Sequence, residues 1–155
     1  METPSLYHFS FYSYAVLFTA LMALLLAFLS WQRREEKTAF YLMWIELGIF
    51  SWAAPIFLES AASTVALKTF WSLAAYPGTI FTPLFVFLFA LTLSQNDKWL
   101  NKNNIVLLLL PGLVIFTAAL TNQWHGLLWP AIKIDPESNI AVYEHGPIFY
   151  LLVLY

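Results

Sequence analysis

The segment TNQWHGLLWP, residues 121–130, places an imidazole between two tryptophans directly after a long apolar run. Histidine exchanges a proton near neutral pH, so His125 is a candidate proton sensor or a candidate wall of an extracytoplasmic ligand pocket. The structural alternative is an aromatic belt, in which Trp124 and Trp129 lie at the edge of a bilayer while Asn122 caps the helix end. The sequence leaves both interpretations open.

Two acidic residues belong to the second apolar stretch. Glu46 lies within residues 38–58, and Glu59 follows directly at the end of the stretch. An ionised carboxylate inside hydrocarbon costs several kcal/mol unless it is paired, hydrated or protonated, so we expect Glu46 to face the interior of a helix bundle. It is then either a proton-sensitive or ligand-coordinating group, or a protonated glutamate bonded to a Tyr, Trp or Ser of a neighbouring helix.

The three histidines give no ligand-like spacing, because His8, His125 and His145 are scattered along the chain. Glu144 and His145 belong to the same polar segment and are candidates to join His125 there. The chain has no cysteine, which excludes disulfides and thiolate chemistry. We therefore predict no metal site and no cofactor, and no catalytic cluster of the Ser-His-Asp kind is visible.

The elements that position these residues follow from composition. Of 155 residues, 61% are hydrophobic and only 10% are charged, with a mean hydropathy of +0.70. This balance is typical of an integral membrane protein, which makes the lipid bilayer its first partner. A net charge of −2 with seven Lys and Arg gives no electrostatic surface for nucleic acid.

Four apolar stretches are each near the ~20 residues that a helix needs to cross a bilayer, and a fifth begins near the end. Lipid offers no partners to unpaired backbone groups, so the stretches are predicted to be helices. The fold class is an all-α polytopic membrane bundle, forming one transmembrane region over residues 1–155, and we expect the chain to be the front part of a longer protein. The predicted helices cover residues 10–31, 38–58, 69–93, 104–120 and, in part, 147–155.

Basic residues predict the orientation, because short loops rich in Lys and Arg stay cytoplasmic. With the N-terminus outside a plasma membrane, the inner loops would hold five of the seven basic residues, and the outer segments would hold Lys68 and Lys133. The five inner residues are Arg33, Arg34, Lys37, Lys98 and Lys102.

The third stretch contains Pro77, Gly78 and Pro83, which predict a kink in its outer half, either as a fixed bend or as a moving hinge. After the fourth stretch, a solvated loop is expected, with a turn over residues 135–139. Residues 140–143 are expected to form a short strand or a cover over the helix ends.

A series of short motifs follows the second stretch in a fixed order. The motifs are Leu67-Lys68-Thr69-Phe70-Trp71, Tyr76-Pro77-Gly78, Pro83 to Leu91, Trp99-Leu100, Pro111-Gly112, and Thr121-Asn122 with His125. In this order, over residues 38–155, the chain resembles the seven-helix N-terminal sensory region of membrane histidine kinases. The acidic residue of that family at the end of the second helix is matched by Glu59, and its Tyr-x-Gly turn is matched by Tyr76, with Pro77 where an apolar residue is more usual.

The resemblance implies a signal-input region whose phosphoacceptor and ATP-binding domains belong to a parent protein, so this chain is not expected to be an enzyme. It also implies a homodimer for the parent and an unknown stimulus or small ligand. The alternative is that the chain is a fragment of a transporter or channel, which would require a polar site at the midplane of the bilayer and an internal repeat. The stimulus candidates are Glu46, Glu59, Tyr76, Asn122, Trp124 and His125.

Overall fold

The computed structural model describes residues 5–95, 97–135 and 138–154. Four long helices follow one another in the chain, and each is long and apolar enough to cross a membrane, which confirms the predicted helical membrane fold. They are α1 (Phe11–Trp31), α2 (Lys37–Ala61), α3 (Val65–Leu93) and α4 (Lys102–Leu120). The remaining elements are a 3₁₀ turn (Asp97–Trp99), α5 (Asn122–His125), β1 (Ile132–Ile134), β2 (Ala141–Tyr143) and α6 (Pro147–Leu154).

Helix α2 lies between α1 and α3 and packs extensively along both, whereas α4 contacts α3, and α6 contacts α4. Small residues form the α1–α2 contact: Ala20 of α1 and Ala53 of α2 are buried in one cluster with Val16. Membrane helices associate through such small residues because lipid provides no hydrophobic driving force between them. Large apolar side chains such as Phe18 and Val114 are left on the outside, where lipid would cover them.

Helices α2 and α3 meet backbone to backbone through two glycines. A Cβ atom added to Gly78 would lie 2.4 Å from the carbonyl oxygen of Gly48 and 2.5 Å from the amide nitrogen of Trp52. A Cβ atom on Gly48 would lie 2.2 Å from Oγ1 of Thr82. The close approach of α2 and α3 therefore requires glycine at position 78, where backbone atoms face the site, whereas at Gly48 an added Cβ atom would meet the side chain of Thr82.

Helix α3 starts earlier than the sequence predicted. Thr64 caps it, because its side chain accepts a hydrogen bond from the Leu67 amide, so the helix begins at Val65 and not at residue 69. Lys68, which the sequence analysis assigned to an outer segment, thus lies in the first turn of the helix and is buried. Beyond this turn α3 runs without interruption through Pro77 and Pro83.

The end of the bundle at which α1 and α3 begin and α2 and α4 end is called the upper end below. Residues 5–9 lie across it: Tyr7 bridges to Ala62, and the His8 amide donates to the Ala61 carbonyl at 2.7 Å. Strands β1 and β2 form an antiparallel hairpin, with Ile132 opposite Tyr143, beside the same end.

Strand β2 falls within residues 140–143, where a strand or cover was expected. Of the predicted turn over residues 135–139, Pro136 and Glu137 lie outside the described residues, as does Tyr155 of the partial fifth helix. Asn139, after the gap, has a φ of 54°. Asparagine tolerates this left-handed conformation better than most residues.

Candidate functional site

A cavity of about 340 Å³ lies at the upper end, where α1 begins, α2 ends and α3 begins, with the β1–β2 hairpin as its remaining wall. We call it the Glu59 cavity. Most of the residues that line it carry a charged, hydroxyl or amide group, and Ile140 and Ala141 add apolar side chains. It is lined by Ser10, Tyr12, Glu59, Ser60, Lys68, Ser138, Asn139, Ile140, Ala141 and Tyr143.

Glu59 and Lys68 form an ion pair in this cavity, with side chains 14% and 1% exposed. The Lys68 ammonium donates to the backbone carbonyl of Glu59 at 2.9 Å and lies 3.9 Å from its Oε1. The carbonyls of the last helical turn have no partner within their own helix, and the C-terminal end of a helix dipole attracts cations. The end of α2 therefore provides a binding site for the Lys68 ammonium through its backbone as well as its carboxylate.

Tyr143 closes the cavity from the hairpin. Its hydroxyl donates to Oε1 of Glu59 at 3.2 Å and contacts the hydroxyl of Ser72 in α3. Burial raises the pKa of the Tyr143 phenol, and the nearby Glu59 carboxylate raises it further, against the opposing hydrogen bond from Ser72. Tyr143 is therefore a neutral hydrogen-bond donor at physiological pH.

Three serine hydroxyls connect α1 to α2 beside the Glu59 cavity. Ser10 and Ser13 form a reciprocal capping box at the start of α1, in which each side chain accepts from the other residue's amide. The Ser60 hydroxyl lies 2.9 Å from Oγ of Ser13 and 2.8 Å from the Phe57 carbonyl oxygen. The start of α1 and the end of α2 are thus joined by polar contacts beside Glu59.

The hairpin is attached to the helices by a second polar contact and by a series of aromatic ring contacts. Asn139 donates from Nδ2 to the Ala62 carbonyl at 3.1 Å. The Tyr143 ring lies 5.0 Å from the Trp129 ring, which in turn makes an edge-on contact of 5.2 Å with Tyr76 of α3. The fourth wall of the cavity therefore has a fixed position relative to α2 and α3.

Residues 15–155 match the family described as the N-terminal 7TM region of histidine kinase. The chain belongs to this family. No curated protein and no solved structure matched in the corresponding searches. The family confirms the resemblance drawn from the motifs and extends it to α1, and it makes the chain a multi-pass membrane region of the kind that precedes the catalytic parts of histidine kinases and is not itself catalytic.

Of the residues predicted for stimulus binding, the 7TM region places Glu59 alone on the wall of the Glu59 cavity. Tyr76 is buried behind it, one aromatic ring removed from Tyr143. Asn122 lies on the far side of Trp129: its Oδ1 accepts from the Leu128 and Trp129 amides at 2.9 and 3.1 Å, and its Nδ2 donates to the Trp129 carbonyl at 3.0 Å. Asn122 thereby fixes the position of Trp129.

His125 and Trp124 lie on the surface of the 7TM region, away from the cavity. Trp124 is 78% exposed, and His125 borders a shallow apolar groove along α4. The His125 Nδ1 accepts from the Leu127 amide at 2.9 Å, and its Nε2 lies 3.2 Å from Oγ1 of Thr121. These contacts fix His125 within the turn after α4. Whether His125 and the two tryptophans lie at the edge of a bilayer stays a prediction.

Glu46 lies in the other half of α2, about 20 Å from Glu59 at ~1.5 Å per residue. It is half-buried and borders a groove of about 620 Å³ that also includes Arg33 and Glu36. Within the described residues it makes no hydrogen bond to Tyr, Trp or Ser, so the expected partner of a protonated Glu46 is not found there. The two glutamates therefore belong to different sites.

Two of the three predicted hinge residues, Gly78 and Pro83, differ in their exposure. Gly78 is buried against α2, and Pro83 is exposed. The hydroxyl of Thr82 is buried without a hydrogen-bond partner among the described residues. Whether Pro77, Gly78 and Pro83 act as a hinge stays a prediction.

Lys68, Ser72 and Tyr143 are site residues that the sequence analysis did not identify. Lys68 had a local signal, because a capping threonine at position 64 places it in the first helical turn, within reach of the end of α2. For Tyr143 the sequence predicted only that residues 140–143 form a strand or a cover over the helix ends, and its contact with Glu59 depends on the hairpin. Among the residues that the structure describes, no group of three His, Asp or Glu could hold a metal ion.

Proposed function

We propose that this chain is the membrane-embedded signal-input region of a sensor histidine kinase, and that the Glu59 cavity receives an extracytoplasmic stimulus. The upper end then faces the outside of the plasma membrane and the N-terminus is extracytoplasmic. The stimulus is passed inward by displacement of helices to kinase modules of the parent protein, which acts as a homodimer. The observation that carries the proposal is that the cavity wall is shared by three transmembrane helices and the hairpin.

A shared wall gives a route from occupancy to helix position. Ser10 belongs to the start of α1, Glu59 to the end of α2, and Lys68 to the start of α3. A molecule that contacts all three elements favours the helix arrangement in which it binds best, and a ligand shifts a conformational equilibrium by its difference in affinity for the two states. Small shifts and rotations of helices are a common form of such transitions.

Transmission toward the lower end relies on the contact between α2 and α3. Gly48 and Gly78 hold the two helix backbones together about midway, so a movement of one upper end is carried along both helices. Pro77 and Pro83 lie beside this contact and remain the proposed hinge. A transporter or channel fragment would require a polar site at the midplane, and the family match gives no support to that alternative.

The test uses a side chain that fills the cavity in place of a ligand. Ala141 lines the cavity, whereas Val142, the next residue of β2, is exposed on the opposite face of the strand. The chain has no cysteine, so Gln32→Cys and Ser94→Cys place two spin labels specifically at the lower ends of α1 and α3. Their distance distribution is measured by pulsed electron paramagnetic resonance in lipid nanodiscs.

Ala141→Trp is expected to shift the distribution by about 1–2 Å or to change its populations, the scale of helix shifts in signalling proteins. Val142→Trp is the matched control and should leave it unchanged. Identical distributions for the parent chain, Ala141→Trp and Ala141→Phe would show that occupancy of the cavity is not coupled to the lower ends of the helices.

A further inference from the structure

We infer that the Glu59 cavity binds a small zwitterion with a carboxylate and a primary ammonium on one carbon, the chemistry of an α-amino acid. This inference rests on the proposed function, because it names the class of molecule that the sensory cavity accepts. In the arrangement proposed, the ligand carboxylate lies against Lys68 and the ligand ammonium lies against Glu59, so each charged group of the ligand faces a residue of opposite charge.

Lys68 has unused capacity for an anion. An ammonium has three donors, and among the described residues Lys68 makes a single hydrogen bond, to the Glu59 carbonyl. Its side chain is almost wholly buried, and the Glu59 carboxylate at 3.9 Å is beyond hydrogen-bond distance. A buried cation with free donors on a cavity wall gains from a carboxylate that reaches it directly.

Glu59 has the complementary capacity for a cation. One of its carboxylate oxygens accepts from Tyr143, and the other has no hydrogen-bond partner within the described part of the chain. The side-chain amide of Asn139 also lies on the wall. Its nitrogen donates to the Ala62 carbonyl, which leaves its oxygen as a further acceptor. A primary ammonium supplies enough donors for both oxygens.

The charge of the wall selects a ligand of zero net charge. Of the described residues that line the cavity, Glu59 and Lys68 alone carry a full charge, and these two cancel. A simple anion or a simple cation would leave one buried charge in excess, which is costly, whereas a zwitterion keeps both the site and the complex neutral. Quaternary ammonium zwitterions are disfavoured because they offer no N–H donor to Glu59.

Size and shape restrict the ligand further. A cavity of about 340 Å³ lies at the lower limit of small-molecule sites. Ile140 and Ala141 form the apolar part of its wall and leave room for a short side chain on the ligand. This combination fits a single amino acid and excludes an oligopeptide.

The experiment measures binding to the full chain in lipid nanodiscs by isothermal titration calorimetry, with each proteinogenic L-amino acid in turn as the probe. For each amino acid that binds, the amide analogue removes the carboxylate and the deaminated acid removes the ammonium. We expect at least one amino acid to bind, and both of its analogues to bind at least about tenfold more weakly. This comparison needs no variant and so does not depend on whether a variant folds.

Variants then assign each end of the ligand. Lys68→Met should abolish the preference for the amino acid over its amide, and Glu59→Gln should abolish the preference over the deaminated acid. Lys133→Gln, on the exposed side of β1, is the control and should retain both preferences. Ala141→Trp should prevent binding altogether.

Three results would overturn the inference: no amino acid binds, the two analogues bind as well as the parent molecule, or both variants retain both preferences. The proposed function is judged separately by the spin-label distances. Binding of an amino acid without any change in those distances would refute the sensory role and leave the ligand class intact. A distance change with Ala141→Trp without binding of any amino acid would refute the ligand class and leave the sensory role intact.

Discussion

The ammonium of Lys68 lies closer to the backbone of Glu59 than to its carboxylate: Nζ is 2.9 Å from the Glu59 carbonyl oxygen and 3.9 Å from Oε1. The lysine is thus held by the end of α2 as a structural element, and the carboxylate keeps one oxygen for another partner. This division explains how a charge pair can be both part of the fold and part of a ligand cavity.

Removing one charge of this pair should destabilise the fold. Lys68→Met leaves Glu59 without its cation, and loss of one partner of a buried ion pair costs about 3 kcal/mol or more. The double variant Lys68→Met with Glu59→Gln should recover part of that loss, because the glutamine that replaces Glu59 is neutral and leaves no unpaired charge. The free energy of unfolding in mixed micelles measures both, and Lys133→Met at the exposed ion pair should change it far less than Lys68→Met does. A double variant no more stable than Lys68→Met would contradict the pairing.

The glycine contact between α2 and α3 should not accept a methyl group. Gly78→Ala places a Cβ atom 2.4 Å from the Gly48 carbonyl oxygen, so the helices must separate, at a cost of about 1–3 kcal/mol. Thr79→Ala, at the next and exposed position, is the matched control. Unfolding in mixed micelles measures the difference, and equal stability of the two variants would argue against a close contact.

Asn122 should protect the amides that it bonds. Asn122→Ala removes the acceptor of the Leu128 and Trp129 amides, so their hydrogen exchange should become faster, and the loss of three hydrogen bonds should cost about 2–4 kcal/mol. Gln123→Ala, at the neighbouring exposed position, should not change the exchange. Unchanged protection in Asn122→Ala would mean that the turn is held by other contacts.

The raised pKa of Tyr143 predicts a loss of stability at alkaline pH. Because the folded-state pKa lies above the unfolded value of about 10, the contribution of Tyr143 is complete below that pH and is lost as the pH rises toward the folded pKa. Unfolding measured between neutral pH and pH ~11 should show a shallower decline for Tyr143→Phe than for the parent chain. Tyr150→Phe, at an exposed tyrosine, should decline like the parent.

The proposed orientation is tested by chemical labelling in intact cells. Lys133→Cys and Arg34→Cys lie at opposite ends of the bundle and are both exposed. A membrane-impermeant maleimide should label Lys133→Cys in intact cells and Arg34→Cys only after permeabilisation. The opposite pattern would place the Glu59 cavity on the cytoplasmic side and refute an extracytoplasmic stimulus.

The helices could be predicted from the sequence because the length and hydropathy of a span are local properties. The start of α3 was misplaced for a related reason: a scan for apolar length excludes Lys68, although the Thr64 cap and the α2 carbonyls accept it inside the helix. Hydropathy describes transfer to lipid and contains no information on a specific buried partner.

The cavity could be predicted only in part. Glu59 was identified through the family motif, but Tyr143 reaches it through the pairing of β1 with β2 and the ring contact with Trp129, which depend on tertiary structure. Gly78 was placed in a predicted kink, either a fixed bend or a moving hinge, and its contact with Gly48 becomes visible only when α2 and α3 are packed.

The short distance along the chain between Glu59 and Lys68 also matters for biogenesis. Under the proposed orientation, the turn after α2 must be translocated across the bilayer while it carries both residues. Because the two charges pair within one helical hairpin, the translocon handles a turn of nearly zero net charge, and no distant span is needed to neutralise it. Tyr143 is synthesised after both residues and therefore meets a pair of α2 and α3 whose two charges are already neutralised.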